Sequence, residues 1–209
     1  VKPEDLVLIA GDISWGMTPE QAKPDLEWIH SLPGTKAMVK GNHDYWWTSL
    51  KKLEGVLPSS IHLIQNNAFV WNEIAIAGTR LWDNIDFSFN EYIEFTSSPL
   101  VKTLVEAPLN DETVKIYNRE LLRLENSLKA IPRQYEKRIV MTHYPPVSPT
   151  LQSSPASKLL EKYDINVCVF GHIHSLKQEM PLFGTLNGIQ YIFTACDYLN
   201  CTPVRISLD

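Results

Sequence analysis

Histidines, carboxylates and a carboxamide recur at four places in this sequence where a short apolar run ends. The four motifs are, in chain order, Gly11-Asp12, Gly41-Asn42-His43-Asp44, Thr142-His143 and Gly171-His172-Ile173-His174. Four of the six histidines of the chain lie in these motifs. Imidazole nitrogens, carboxylate oxygens and amide oxygens are ligands of divalent transition metals. The motifs therefore predict a mononuclear or dinuclear metal site with mixed oxygen and nitrogen ligands.

Each motif has a simpler explanation when it is taken alone. A Gly-Asp pair after a strand is commonly a turn in which the aspartate binds its own backbone, and Gly-Asn-His-Asp is also typical of a turn. A His-x-His sequence is compatible with two exposed histidines at a strand end. The recurrence of the same ligand types after four separate apolar runs favours the metal site. The remaining two histidines, His30 near a helix end and His62 at a strand edge, are assigned to structural roles.

The hydrophobic pattern predicts the elements that carry these motifs. Apolar runs predict β-strands at residues 6–10, 36–40, 61–64, 68–71, 74–77, 139–142, 167–170, 190–195 and 204–208. Amphipathic stretches predict helices at residues 19–32, 46–57, 111–130 and near 155–163. This alternation favours a β-sheet core covered by helices. Because ligand sites of open α/β sheets form at the carboxyl ends of the strands, the four motifs are expected to meet there.

Length and composition are those of a folded domain. The 209 residues are close to the usual size of one domain, so residues 1–209 are predicted to form a single domain. Apolar residues make up 44% of the chain and charged residues 21%, both ordinary for a globular protein. Residues 82–110 lack a clear period and are predicted to form a cap or a substrate loop.

Composition also argues against several classes of protein. No apolar run approaches the roughly 18 residues that cross a bilayer, so no membrane partner is expected. The net charge of −5 argues against a dedicated nucleic-acid-binding surface. The three cysteines are an odd number without C-x-x-C spacing, which argues against a disulfide scaffold or a cysteine zinc site and favours the reducing cytoplasm.

Taken together and in this order, the motifs resemble the calcineurin-like metallophosphoesterase family. The pattern of that family is D-x-H, then G-D-x-x-D/G, G-N-H-D/E, a lone histidine and G-H-x-H. Here GDISW, GNHD, THYPP and GHIH match the second to fifth motifs over residues 11–174. The resemblance implies an α/β protein with a four-layer αββα architecture, a β-sandwich flanked by helices. It also implies two divalent metal ions (Mn, Fe or Zn) at the strand ends.

The resemblance assigns a role to each matching residue. Its metal ligands would be Asp12 bridging both ions, Asn42, His143 and His172 completing one coordination sphere, and His174 in the other. The catalytic pair would be His43, facing the substrate, and Asp44, orienting it. The implied reaction is hydrolysis of a phosphomonoester or phosphodiester by a metal-bridging hydroxide, with His43 protonating or stabilising the leaving oxygen. A phosphate contact from Arg80 is a weaker hypothesis than an ordinary salt bridge.

The sequence departs from the family pattern in two ways. Trp15 stands where the family often has Asp or Gly, so a hydrogen bond behind the site is expected to be missing or replaced. The D-x-H motif is absent, and the chain enters a predicted strand within a few residues of its first residue. We therefore expect a preceding segment of the native protein to carry that motif, and weak or no activity from the isolated chain.

Two alternatives to a dinuclear phosphohydrolase follow from the same residues. One is a non-catalytic scaffold of the same fold that binds a protein partner, and the other is a mononuclear metal hydrolase. The intact GNHD and GHIH motifs favour the enzyme over the scaffold. The substrate is expected to be phosphorylated, but nothing in the sequence distinguishes a nucleotide from a phosphoprotein or a lipid headgroup.

Overall fold

The computed structural model describes residues 1–53, 55, 57–84, 86–94, 111–177 and 182–208. The strands are β1 (Leu6–Ile9), β2 (Thr35–Val39), β3 (Ile61–Ile64), β4 (Ala68–Trp71), β5 (Ile74–Thr79), β6 (Lys137–Thr142), β7 (Val167–Phe170), β8 (Gly184–Leu186) and β9 (Ile189–Phe193). The helices are α1 (Pro19–Ser31), α2 (Leu50–Leu53), α3 (Asp111–Lys129) and α4 (Pro155–Lys162).

These strands form two β-sheets within the described part of the chain. The first sheet has the order β1-β2-β3 and is parallel throughout. The second has the order β4-β5-β6-β7-β9-β8, in which β5, β6, β7 and β9 are parallel and the two edge strands are antiparallel to their neighbours. Parallel strands align their carboxyl ends, so each sheet presents the loops that follow its strands along one edge.

The helices cover the outer faces of the two sheets. Side chains alternate between faces along a strand, and in β2 this sends Met38 toward α1 while Ala37 and Val39 face the second sheet. Apolar residues of α3 and α4 pack on the other side of the second sheet. The layers are therefore helix, sheet, sheet and helix, and the predicted four-layer αββα fold is confirmed.

Two of the predicted elements are wrong. The helix predicted at 46–57 is limited to α2 because Trp46 and Trp47 are buried before the helix begins, with the Trp46 backbone N–H bound to Gly16 and the Trp47 indole bound to Gln65. Residues 204–208, predicted to be a strand, do not form one, although Ile206 and Leu208 still pack against the core between the sheets. Burial rather than strand pairing explains the apolar pattern there.

The structure also contains a strand that the hydrophobic pattern does not predict. β8 is short and mostly exposed, and it pairs antiparallel with β9. Asn187 and Gly188 connect the two strands, and both have positive φ, +50° and +83°. An Asn-Gly pair with this geometry is a common hairpin turn. This dipeptide is therefore the sequence feature that could have predicted the β8–β9 hairpin.

Most of the predicted cap or substrate loop at 82–110 lies outside the described residues, namely 85 and 95–110. The described part contains a 3₁₀ turn at Asn90–Tyr92, and Ile93 forms an antiparallel bridge with Leu176. This segment therefore runs beside the loop that carries the GHIH motif. In the described ranges of the chain, no helix is both long enough and apolar enough to cross a membrane.

Candidate metal centre

Loops from both sheets meet at one place in the structure. Asp12 and Asn42 follow β1 and β2 of the first sheet, whereas His143 and His172 follow β6 and β7 of the second. The Asn42 side chain contacts both histidines, so the two sheet edges adjoin here. The structure thus brings together four of the five predicted metal ligands.

Glycines allow these loops to approach closely. Gly11 has a φ of +97°, which favours glycine, and an added Cβ there would lie 2.7 Å from His143 Nδ1. Gly41 packs directly against Asp12, and an added Cβ would overlap the Asp12 carboxylate. Asp12 and His172 also adopt positive φ, +58° and +72°. Such backbone strain in residues with side chains is typical of functional sites.

The donor atoms of the four residues lie as close together as ligands of one ion. Asn42 Oδ1 is 2.8 Å from His143 Nε2 and 2.9 Å from His172 Nδ1. His143 Nε2 is in turn 3.2 Å from His172 Nδ1 and 3.4 Å from Asp12 Oδ2. Ligands bonded to one zinc-like ion at about 2.0–2.2 Å are themselves about 3.0–3.4 Å apart. The spacing therefore fits a shared divalent cation.

The hydrogen bond on the far side of His143 supports the same conclusion. His143 Nδ1 is 2.7 Å from the carbonyl oxygen of Ala10, which can only accept, so Nδ1 carries the proton. In the neutral imidazole, Nε2 then directs a lone pair toward Asn42 Oδ1 and the Asp12 carboxylate. Oxygen and nitrogen lone pairs that face one another repel unless a positive charge lies between them. A proton on Nε2 or a divalent cation supplies that charge, and the bond to Ala10 fixes the ring for the cation.

Electrostatics keep two of these groups in the protonation states that bind metal. Burial, together with the charge that His143 carries when it is protonated, lowers the pKa of His172 to about 3. Burial raises the pKa of Asp12, but the hydrogen bond and charge of protonated His143 and the backbone N–H of His43 outweigh it, so the pKa lies below its usual range. At neutral pH His172 is therefore neutral and Asp12 is ionised, as metal ligation requires.

Asp44, predicted to orient His43, binds the backbone of the two loops of the first sheet. Its buried carboxylate accepts hydrogen bonds from the backbone N–H groups of Asp12, Ile13, Ser14 and Gly41 and from Nε1 of Trp46. Within the described residues, none of its hydrogen bonds reaches the His43 ring. Asp44 therefore joins the loop after β1 to the loop after β2, and its role in orienting His43 stays a prediction.

His43 has two aromatic neighbours instead. The indole of Trp15 stacks on its ring, with centroids 4.3 Å apart and planes inclined by 6°. The hydroxyl of Tyr45 lies 3.3 Å from its Nδ1. The backbone N–H of His43 donates to Asp12 Oδ1 at 2.8 Å, which keeps the histidine beside the ligand cluster.

Comparison with known proteins decides the family. A family model described as calcineurin-like phosphoesterase matches residues 1–176. The chain belongs to the calcineurin-like phosphoesterase family. No curated protein matches the chain. Among solved structures, the chain resembles "GAP50 the anchor in the inner membrane complex of Plasmodium", with a TM-score of 0.51 and 14% identity. The match covers 92% of this chain and 61% of that one, and at this identity it concerns the fold alone.

His174, the remaining ligand expected from the calcineurin-like pattern, has a different partner. Its Nδ1 is 3.0 Å from Asp197 Oδ1, and Asp197 Oδ2 accepts from the backbone N–H of Ser175 at 2.7 Å. The Cys196 thiol adjoins this pair, and the ligand atoms of all three side chains lie within 4.8 Å of one another. The assignment of His174 to a second ion remains a prediction.

Sequence reasoning missed two acidic residues of this calcineurin-like site. Asp197 lies just after β9, so the rule that placed the other ligands at strand ends would have found it. Asp83 lies in the segment after β5, with Oδ1 4.0 Å from His172 Nε2. No motif of the family singles out either position in this sequence.

Arg80 is held in an ion pair. Its guanidinium lies 3.3 Å from the buried carboxylate of Glu120 in α3 and over the ring of Trp82. Its carbonyl oxygen accepts from the backbone N–H groups of His143 and Tyr144. The salt-bridge interpretation is confirmed, and Arg80 supports the loop after β6 through its backbone.

Proposed function

We propose that this protein is a metal-dependent phosphohydrolase that cleaves a phosphomonoester or phosphodiester. The observation that carries the proposal is the convergence of Asp12, Asn42, His143 and His172 from four strand ends, with neighbouring ligand atoms 2.8–3.4 Å apart. Family membership supports phosphoester chemistry at such a centre. We also propose that its substrate is a phosphorylated molecule.

Each side chain has a definite task in the proposed reaction. The four convergent groups hold a divalent ion such as Mn, Fe or Zn, which when bound supplies Lewis-acid activation of water and neutralises phosphoryl charge. His43 protonates the leaving oxygen. The water oxygen forms the new bond to phosphorus and gives one proton to solvent, the ester P–O bond breaks, and the alcohol departs with the proton from His43, which solvent then replaces.

We also propose a second ion, for which Asp12 and His174 would supply ligands. The hydrogen bond from His174 Nδ1 to Asp197 supports this role because it leaves Nε2 as the nitrogen that can bind metal. A carboxylate behind a histidine is the usual arrangement in metal sites. We also propose a reducing compartment, the cytoplasm, because all three cysteines are free and two of them are exposed.

The first test is the metal content of the protein after loading with Mn²⁺ and removal of excess ion, measured by elemental mass spectrometry. About one ion per chain is expected if only the convergent site closes, and about two if His174 completes a second site. Asn42→Ala should lose the ion. Retention of metal by Asn42→Ala would show that the ion binds elsewhere.

The second test separates metal binding from turnover with His43→Ala. Hydrolysis of p-nitrophenyl phosphate and bis(p-nitrophenyl) phosphate distinguishes monoesterase from diesterase activity. We expect His43→Ala to lower kcat by about 10²-fold or more, since general acid catalysis contributes at least this much. Metal content should stay at the wild-type level. Equal losses of metal and turnover would contradict the catalytic role of His43. A wild-type protein that binds two ions per chain and is still inactive would favour the scaffold.

A further inference from the structure

Trp15 is a large aromatic residue that the fold leaves largely in solvent. Its side chain is 71% exposed, although it lies only three residues after Asp12 in the loop that follows β1. Its main contact is the parallel stack on His43, at 4.3 Å and 6°. A flat stack of this kind covers one face of the imidazole and hinders rotation of the ring.

Tyr45 approaches the same ring from its edge. The two rings are nearly perpendicular, at 84°, with centroids 6.1 Å apart. The hydroxyl lies 3.3 Å from His43 Nδ1, and it donates or accepts according to the tautomer of the imidazole. In either tautomer Tyr45 engages Nδ1, so Nε2 is the nitrogen left to meet a substrate oxygen.

The aspartate next to His43 is committed elsewhere. Both carboxylate oxygens of Asp44 are used by backbone N–H groups and by the Trp46 indole. A catalytic imidazole still needs its ring plane and its free nitrogen fixed, because a misplaced group loses most of its effect. Trp15 contacts the face of the ring, which fixes its plane, and Tyr45 contacts Nδ1, which leaves Nε2 as the free nitrogen.

We propose that Trp15 and Tyr45 are positioning residues for His43. Trp15 sets the plane of the imidazole by stacking, and Tyr45 sets which nitrogen faces the substrate by binding Nδ1. The inference rests on the proposed phosphohydrolase function and extends it to Trp15, at the last position of the second motif, and to Tyr45, which directly follows the third. It also explains how the site works with Trp15 in place of the Asp or Gly of the family pattern.

The first experiment measures the ring directly and does not depend on activity. The ring C–H signals of His43 are identified in a ¹H–¹³C spectrum of the metal-free and zinc-loaded protein by their absence in His43→Gln. Stacking on the indole should shift them upfield in the wild type. Trp15→Ala should remove that shift, Trp15→Phe should retain part of it, and Tyr45→Phe should change the tautomer seen in the ¹⁵N spectrum.

A matched control is available in Trp28. Trp28 is also highly exposed, at 65%, but it lies on α1 and no ring contact joins it to His43 among the described residues. Trp28→Ala should leave the His43 signals and the kinetics unchanged. Thermal melts of all variants check folding, and little change is expected because Trp15 and Tyr45 are exposed.

The second experiment measures kcat and KM on aryl phosphates whose leaving groups span a range of pKa. Poor leaving groups need protonation most, so Trp15→Ala and Tyr45→Phe should lower kcat on them by about tenfold, a fraction of the full general-acid effect. The KM and the rate on p-nitrophenyl phosphate should change little. Trp15→Phe should restore part of the loss.

The outcomes separate this inference from the proposed function. An unshifted His43 signal in the wild type would overturn the positioning role whether or not the protein is active. A raised KM with unchanged kcat in Trp15→Ala would also overturn it and make Trp15 a substrate platform. Shifted signals in a protein that binds two ions per chain but has no phosphoesterase activity would uphold the positioning of the ring and reject the proposed reaction.

Discussion

A single buried carboxylate determines how the two loops of the first sheet lie against each other. Asp44 is fully buried and accepts five hydrogen bonds, four from backbone N–H groups and one from an indole. Hydrogen bonds to a charged acceptor are stronger than neutral ones. The position of Asp12, whose backbone N–H binds Asp44 Oδ2 at 2.8 Å, therefore depends on this carboxylate.

Asp44→Asn is expected to weaken both the fold and the metal centre. The amide nitrogen would direct its own hydrogens at backbone donors, so the free energy of unfolding should fall by about 2–4 kcal/mol. Metal affinity should fall as well because Asp12 moves. Denaturant unfolding and metal content measure the two effects. Asp164→Asn is the control, since that side chain is 91% exposed, and an Asp44→Asn protein as stable as this control would contradict the role of Asp44.

At the scale of the elements, the metal centre depends on the close approach of the loops after β1 and β2. The parallel pairing of β1 with β2 places these loops side by side. Gly41 lies against the backbone and carboxylate of Asp12, with no room for a side chain. The glycine in the GNHD motif is therefore a packing requirement of the two strand ends.

Gly41→Ala should displace Asp12 and lower metal binding by more than tenfold while the two sheets remain folded. An added methyl group would overlap the carboxylate and backbone of Asp12, so one loop must move. Isothermal titration with Mn²⁺ measures the affinity, and circular dichroism checks the fold. Gly55→Ala serves as a control because an added Cβ there meets no atom within 4 Å. Equal affinity in the two variants would show that the contact at Gly41 is not needed.

At the scale of the whole molecule, the candidate metal centre lies where the two sheets meet. The first sheet contributes Asp12 and Asn42, and the second contributes His143 and His172. The sheets are otherwise held together by the apolar residues between them. An ion bound by ligands from both sheets adds a polar connection at the edge of this core.

Metal binding is therefore expected to raise the melting temperature. An ion at 100 times its Kd stabilises the folded state by about 2.7 kcal/mol, which corresponds to a rise in Tm of about 5–10 °C for a chain of this size. Calorimetry of the chelator-treated protein with and without Mn²⁺ measures the change. His143→Ala should show no such rise. An equal rise in that variant would mean that the stabilising ion binds elsewhere, for example at His174, Cys196 and Asp197.

Much of the fold and of the site follows from local sequence pattern. The spacing of apolar residues in strands and helices predicted the four layers of the fold. Residues of metal-ligand type after the apolar runs predicted the strand ends at which Asp12, Asn42, His143 and His172 meet. These predictions succeed because burial on one or both faces imposes a period that is visible in the sequence. The helix at 46–57 failed because Trp46 and Trp47 follow tertiary contacts instead of a helical period.

The sequence by itself determined which residue types end the strands and hence the family and the kind of centre. Only the tertiary structure decided which hydrogen-bond partner each side chain of the site binds. Asp44 binds backbone groups up to 32 positions away instead of its neighbour His43, and His174 binds Asp197, 23 positions away. A carboxylate has a limited number of acceptor sites, and the donors that fill them are chosen by proximity in the folded chain. Adjacency in sequence therefore does not reveal the partner of His43, which the fold supplies as Trp15 and Tyr45.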